Sequence, residues 1–355
     1  MATLTTKQRI GRMYEHKDAD RVPILASPWE TTIARWRREG LPEDVDYADY
    51  FGLDGVVGYR GDISPRYETK VIEETDDYII QFDAWGTTSK TWKHAESTPE
   101  WIGRTIVDRD SWAAAKARMV MTPERIDWDF LKKEYPVWQK NNCWILGQLW
   151  FGFDVTHARL VGTEQLLLWM ADDPELVIDL FNTELDCSLQ LMDMIWDAGY
   201  TFDSVFWWDD MGYRNGTFFS VEMYRDMLKP VHKRAIDWAH AKGIKAHLHS
   251  CGNINAFVPE LLEIGLDALN PLEVKAGMDP VHLKSTVGDR LVLHGGLNAL
   301  LWDDIDRTEA EIRRLLPIMM QDGGYIFQED HSIPDSVSFK DFGRIVELAK
   351  TLGSY

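Results

Sequence analysis

Ser204-Val205-Phe206-Trp207-Trp208-Asp209-Asp210-Met211 and Lys245-Ala246-His247-Leu248-His249-Ser250-Cys251-Gly252 decide the fold. Each is a strand-length apolar run that ends in polar residues, and residues 221–242 between them have helical periodicity. Near-continuous apolar strands are buried on both faces, so the pair reads as parallel strands joined by a helix. Working outward, further runs begin at Val22 (VPILASP), Gly55 (GVVGYR), Trp144 (WILGQLW), Ala268 (ALNPLE), Leu291 (LVLHGGL) and Gly324 (GYIFQED), and residues 309–320 form another helical stretch. With the first two, these make eight strands. Eight βα units closing on themselves predict an α/β protein of the (β/α)8 TIM-barrel type. An open doubly wound sheet would have fewer strands and a glycine-rich first turn, which is missing.

The 355 residues are expected to form one barrel domain spanning 1–355. Thr5 and Gln8 fit a capping box that opens a helix running to about Tyr14. Residues 67–93 alternate polar and apolar and turn at Thr75-Asp76-Asp77, which predicts a β-hairpin inserted in the second loop.

A formal charge of -20 disfavours nucleic acid and anionic membranes as partners, leaving a small molecule or another protein. Three cysteines without a pairing pattern fit a reducing compartment. The N-terminal stretch lacks the apolar core of a signal peptide and no run is long enough to span a bilayer, so a cytoplasmic location is expected. Core and barrel-helix packing accounts for most of the sixteen Trp, and a few are expected to line a flat pocket.

In such barrels the chemistry sits at the C-terminal ends of the strands. The period of two puts His247, His249 and Cys251 on one strand face, all of them metal-ligand types. Same-face neighbours rise about 6.6 Å apart, so His249 and Cys251 can converge on one ion such as zinc. His331 is the expected third ligand, with Glu273, Glu329 and Asp210 in reserve. His331, Asp210 and Glu329 are the expected catalytic groups. Trp29, Trp150, Trp207, Trp208, Asn270, Glu273 and His294 are the expected substrate contacts. Of Asp209 and Asp210 only one can face inward.

The chain resembles the uroporphyrinogen decarboxylase superfamily and its corrinoid-dependent methyltransferase branch. The likeness rests on Met223-Tyr224 through Pro230, His232-Lys233-Arg234, His249-Ser250-Cys251-Gly252-Asn253 and Asn270-Pro271-Leu272-Glu273. Ala276-Gly277-Met278-Asp279, Gly295-Gly296 and Asp330-His331-Ser332-Ile333-Pro334 complete it. The decarboxylases carry an arginine-rich element after the first strand, where this chain reads Ala26-Ser27-Pro28-Trp29-Glu30. A ring bearing many carboxylates needs cationic partners, which lowers the decarboxylase or lyase reading. The methyltransferase branch holds zinc with a His-x-Cys pair and a distant Cys, and His331 stands at that distant position. The resemblance therefore implies an O-demethylating methyltransferase whose donor is an O-methyl compound such as a methoxylated aromatic. Its acceptor would be the Co(I) of cobalamin or another corrinoid carried on a separate protein. A thiol methyltransferase is the alternative within the branch, a non-catalytic binding barrel the alternative outside it, and a homodimer is compatible with either.

Overall fold

The computed structural model describes residues 3–94 and 98–355. Seven strands form one curled parallel sheet in chain order: Val56–Tyr59, Trp144–Leu149, Ser204–Trp208, Lys245–His249, Ala268–Asn270, Val292–His294 and Tyr325–Ile326. Helices intervene between them in the βα pattern read from the sequence. The expected first strand, residues 22–28, is the exception. Ile24 makes only an isolated parallel bridge to Phe327, and Pro28 makes one to Ile333. Pro23 and Pro28 have no N–H to give, so the segment cannot build a ladder. It still closes the ring: Leu25 N–H donates to Phe327 O at 2.9 Å, and Asp54 N–H donates to Ile24 O at 2.9 Å. The fold is that of a TIM-type barrel with one irregular stave.

One end of the barrel is sealed. Thr5 and Gln8 form the expected capping box, and the helix Thr6–Tyr14 turns Ile10, Met13 and Tyr14 inward. They pack against Trp144, Ala268, Val292 and Ile326, from strands around the ring. Burying such side chains is worth roughly 1.5–3 kcal/mol each and keeps water out of the barrel floor. Access to the interior is therefore from the C-terminal strand ends.

The expected hairpin is present, with Lys70–Glu74 pairing antiparallel to Tyr78–Phe82, but it is half of a larger insertion. Thr87–Trp92 and Glu100–Arg104 extend it to a four-stranded antiparallel sheet. This sheet is latched to the barrel by Thr87 Oγ1, which donates to Arg159 O at 2.6 Å, and by Arg104 Nη1, which donates to Ala158 O at 2.8 Å. Among the described residues no helix is long and apolar enough to cross a membrane.

Asp54 joins the irregular stave to its neighbours. Its fully buried carboxylate pairs with Arg9 and, at 2.6 Å, with Arg21, and accepts from Ile24 N–H at 2.9 Å. Removing one partner of a buried ion pair typically costs about 3–5 kcal/mol. Asp54→Ala is expected to lose about that much in urea unfolding followed by circular dichroism, whereas a loss under about 1 kcal/mol would show that closure does not depend on this carboxylate.

Candidate functional site

Alternation along two neighbouring strands builds the site. On Ser204–Trp208 it turns Phe206 and Trp208 to the interior, and on Lys245–His249 it turns His247 and His249 the same way; Phe206 and His247 have ring centroids 5.0 Å apart. Continued past each strand, the period brings Asp210 and Cys251 to the mouth beside His249. His249 Nε2 lies 3.3 Å from Cys251 Sγ and 3.7 Å from Asp210 Oδ1. The three ligand atoms lie within 4.8 Å of one another, the one such group of at least three found among the described residues.

This donor set fits a metal ion. Ligands about 2.0–2.3 Å from a tetrahedral zinc stand about 3.3–3.8 Å apart, as the two measured separations do. His249 Nδ1 is hydrogen-bonded to Asn270 Oδ1, so Nδ1 carries the ring proton and Nε2 presents its lone pair to Cys251 and Asp210. Burial pushes the Cys251 thiol well up, and the Asp210 and Glu273 carboxylates push it further. Burial also raises Asp210, with His249 opposing and Asp154 adding. Burial thus disfavours both anions, and a divalent cation would reverse that.

The backbone holds the group rigidly. Cys251 N–H donates to Asp210 Oδ1 at 2.7 Å and Asp209 N–H to His249 O at 2.8 Å. Gly252, at φ 82°, lets the loop after Asp210 come so close that a Cβ there would lie 2.1 Å from the Gly212 carbonyl carbon. Glu273, an expected substrate contact, does not line the cavity; it accepts from Gly252 N–H and pairs with Lys275 at 3.2 Å. Asp209 points outward into a buried chain, 2.7 Å from His232 Nε2, whose Nδ1 is 3.0 Å from the Tyr224 hydroxyl. Asp210 is thus the inward member of the pair.

Two cavities meet at this group. The larger, ≈ 980 Å³, is lined by Phe206, Trp208, His249, Cys251, Asn270, His294 and Glu329, with Trp29 and His331 in its wall. The smaller, ≈ 560 Å³, is lined by Trp101, Trp150, Arg159, Trp208, Asp210 and Cys251. Trp29, Trp150, Trp208, Asn270 and His294 each line one of these cavities. Trp207 does not: it is fully buried against Phe151 and His232, because its neighbour Trp208 takes the inward place. His331 is not in the ligand group either. It is exposed, its ring 6.3 Å from that of Trp29, because the last strand ends at Ile326 and the irregular chain beyond carries it outward. His294 Nε2 is 2.5 Å from Gln328 Oε1, and burial pulls the imidazole down to about 4, so it is neutral near pH 7. Glu329 Oε1 accepts from Ser27 N–H, and burial pushes its carboxyl up to about 7. Phe206 and Gln328 escaped the sequence reading, although the period of two from Trp208 points at Phe206. Arg159 gave no signal, since it lies on a π-helical turn, Thr156–Val161.

A sequence profile of the uroporphyrinogen decarboxylase (URO-D) family matches residues 155–352, more than half of the chain. The chain belongs to this family. Among solved structures it is similar to a methyltransferase from Methanosarcina mazei, with a TM-score of 0.67 over 98% of this chain and 99% of that one at 15% identity, a likeness of fold. A comparison with curated proteins found no match.

Protein equilibrated with Zn²⁺ and freed of excess is expected to retain about one equivalent by elemental analysis. His249→Ala and Cys251→Ser are expected to lose it and His331→Ala to keep it. Retention by the first two, or loss by the third, would contradict this ligand set.

Proposed function

We propose that this URO-D family member is a methyltransferase that takes the methyl group of an O-methyl compound, a methoxylated aromatic, and passes it to the Co(I) of a corrinoid held on a separate protein. The observation that carries the reading is the Asp210, His249 and Cys251 group placed between two cavities that share the Trp208 ring. The larger cavity argues against the decarboxylase reading: its lining includes Asp46, Asp49, Asp54, Glu134, Glu329 and Asp330 and no Lys or Arg among the described residues. Asp54 is already paired with Arg9 and Arg21, and the cavity lining offers a polycarboxylate no free cationic partner.

Breaking the carbon–oxygen bond leaves the electron pair on oxygen, so the residues must stabilise or protonate that oxygen. A zinc ion held by Asp210, His249 and Cys251 would supply Lewis acidity toward it. The thiolate and the carboxylate would cancel the ion's charge, so it would be a softer electrophile than the two-histidine set expected from the sequence. Glu329 answers that need as proton donor. Near pH 7 it is partly protonated, and since Oε1 accepts from Ser27 the proton sits on Oε2. Asp330 and Tyr47 are its ionisable neighbours, and the Asp330 charge helps keep it protonated. Trp208 offers a flat apolar face to the ring, while Trp29 and His331 at the rim contact the donor as it enters.

The test is single-turnover transfer from neutral and acidic methoxylated aromatics to a reduced corrinoid protein, followed by its visible spectrum. Because the acid must be protonated, the rate is expected to fall as pH rises through about 7. Glu329→Gln should lower it about 10²–10⁴-fold and remove that pH limb. His331→Ala should raise KM and leave kcat and thermal stability near wild type. Methylation of a thiol, with no transfer from any methoxylated donor, would overturn the reading in favour of a thiol methyltransferase.

A further inference from the structure

The smaller cavity holds a cation that the chemistry described so far leaves unused. Arg159 lines it between two indoles, its guanidinium carbon 5.4 Å from the ring centroid of Trp101 and 5.4 Å from that of Trp150. Two more arginines stack on the same rings: Arg60 at 4.1 Å over Trp150 and Arg104 at 5.0 Å over Trp101. Among the described residues Arg60 and Arg159 have no carboxylate partner, and Arg104 bonds only to Thr87 Oγ1 and Ala158 O. In a chain of net charge -20, three guanidiniums gathered with no carboxylate bonded to any of them among the described residues are out of keeping with the surroundings.

Neither carboxylate in the cavity lining forms an ion pair with them. Asp154 is engaged by His157 Nε2 at 3.3 Å, and Asp210 belongs to the ligand group beside His249. Burial pulls the Arg104 guanidinium down to about 10, Asp83 opposing and Arg159 adding to the fall. Burial and then Arg159 lower Arg60 in the same way, so Arg159 repels both of its neighbours. Trp150 adds a second, independent observation: its buried indole N–H has no hydrogen-bond acceptor among the described residues. A guanidinium on the cavity wall with no anion, beside an indole whose N–H has no acceptor, is complementary to an anionic oxygen group. The flanking Trp101 and Trp150 rings suit a planar apolar body, and ≈ 560 Å³ lies within the roughly 300–1,000 Å³ of small-molecule sites.

We propose that the Arg159, Trp101 and Trp150 wall is a carboxylate-binding subsite, so that the methyl donor is an aromatic acid bearing its methoxy group toward Asp210 and Cys251 and its carboxylate toward Arg159. This rests on the O-demethylase reading for the identity of the donor, and its test reads binding alone. Arg159 positions the ring through a charge-assisted hydrogen bond, and Arg60 and Arg104 strengthen the local positive field. The Glu100–Arg104 strand supplies Trp101, which gives the inserted sheet a role in selecting the donor.

The test titrates zinc-loaded protein, without any corrinoid protein, with 4-methoxybenzoate and with its neutral isostere 4-methoxybenzamide, followed by calorimetry. The acid is expected to bind the wild type at least ~10-fold more tightly than the amide. Arg159→Gln should bring the two to parity, and Arg159→Lys should keep part of the preference, with thermal melts confirming both folds. The wild-type comparison stands without any variant. Equal affinity for acid and amide, no binding of either, or a preference that survives Arg159→Gln would each overturn the proposal. Preferential binding of the acid without methyl transfer would leave this subsite in place and remove the O-demethylase reading. Transfer from neutral and acidic donors with equal affinity would do the reverse.

Discussion

The hydrogen bond from Cys251 N–H to Asp210 Oδ1 ties the end of one strand to the end of its neighbour, and the arrangement of the site follows from it. Parallel strands put both C-terminal ends at the same mouth, and their register sets Trp208 beside His249. Two residues further along each chain the ladder has ended. There the bond holds a carboxylate and a thiol against one imidazole nitrogen. The approach of Gly212 to Gly252 is the steric condition for it, since any side chain at 252 would drive the loop carrying Asp210 away.

Burial supplies the electrostatic half of the design. Cys251 and Asp210 are disfavoured as anions where they lie, which makes the place hungry for positive charge. Asp209, one residue away, meets the same burial with a different remedy, the imidazole of His232 at 2.7 Å. One aspartate is thereby committed to the scaffold and the other to the mouth. The same contrast separates the two cavities: the larger is lined by carboxylates, while the smaller presents an arginine held between indoles. A planar ring with an anionic oxygen group at one end suits the smaller.

How far the sequence was legible depended on how far regular structure extended. His249 and Cys251 were readable because a period of two survives for a residue or two beyond a strand. The same rule, applied to Trp207 and Trp208, allows only one inward, and Trp207 went to the helices. His331 was misplaced because the last strand is two residues long, so alternation gives no orientation five residues later. Residues 22–28 read as a strand from their apolar content, and their prolines reduced it to isolated bridges. The inserted sheet was read as a single hairpin over residues 67–93: Thr87–Trp92 was not separated from its second arm, and Glu100–Arg104, half-exposed or exposed throughout, lay beyond it. Arg159 was out of reach altogether, since its partners Trp101 and Trp150 come from an inserted strand and from the end of a barrel strand.

The central claim is that one thiolate, one imidazole and one carboxylate at the barrel mouth hold a metal ion. X-ray absorption at the zinc edge of the loaded protein tests it most directly. The structure predicts a single sulfur neighbour at about 2.3 Å with nitrogen and oxygen neighbours at about 2.0–2.2 Å, the sulfur vanishing in Cys251→Ser. A metal surrounded by nitrogen and oxygen alone in the wild-type protein would contradict it.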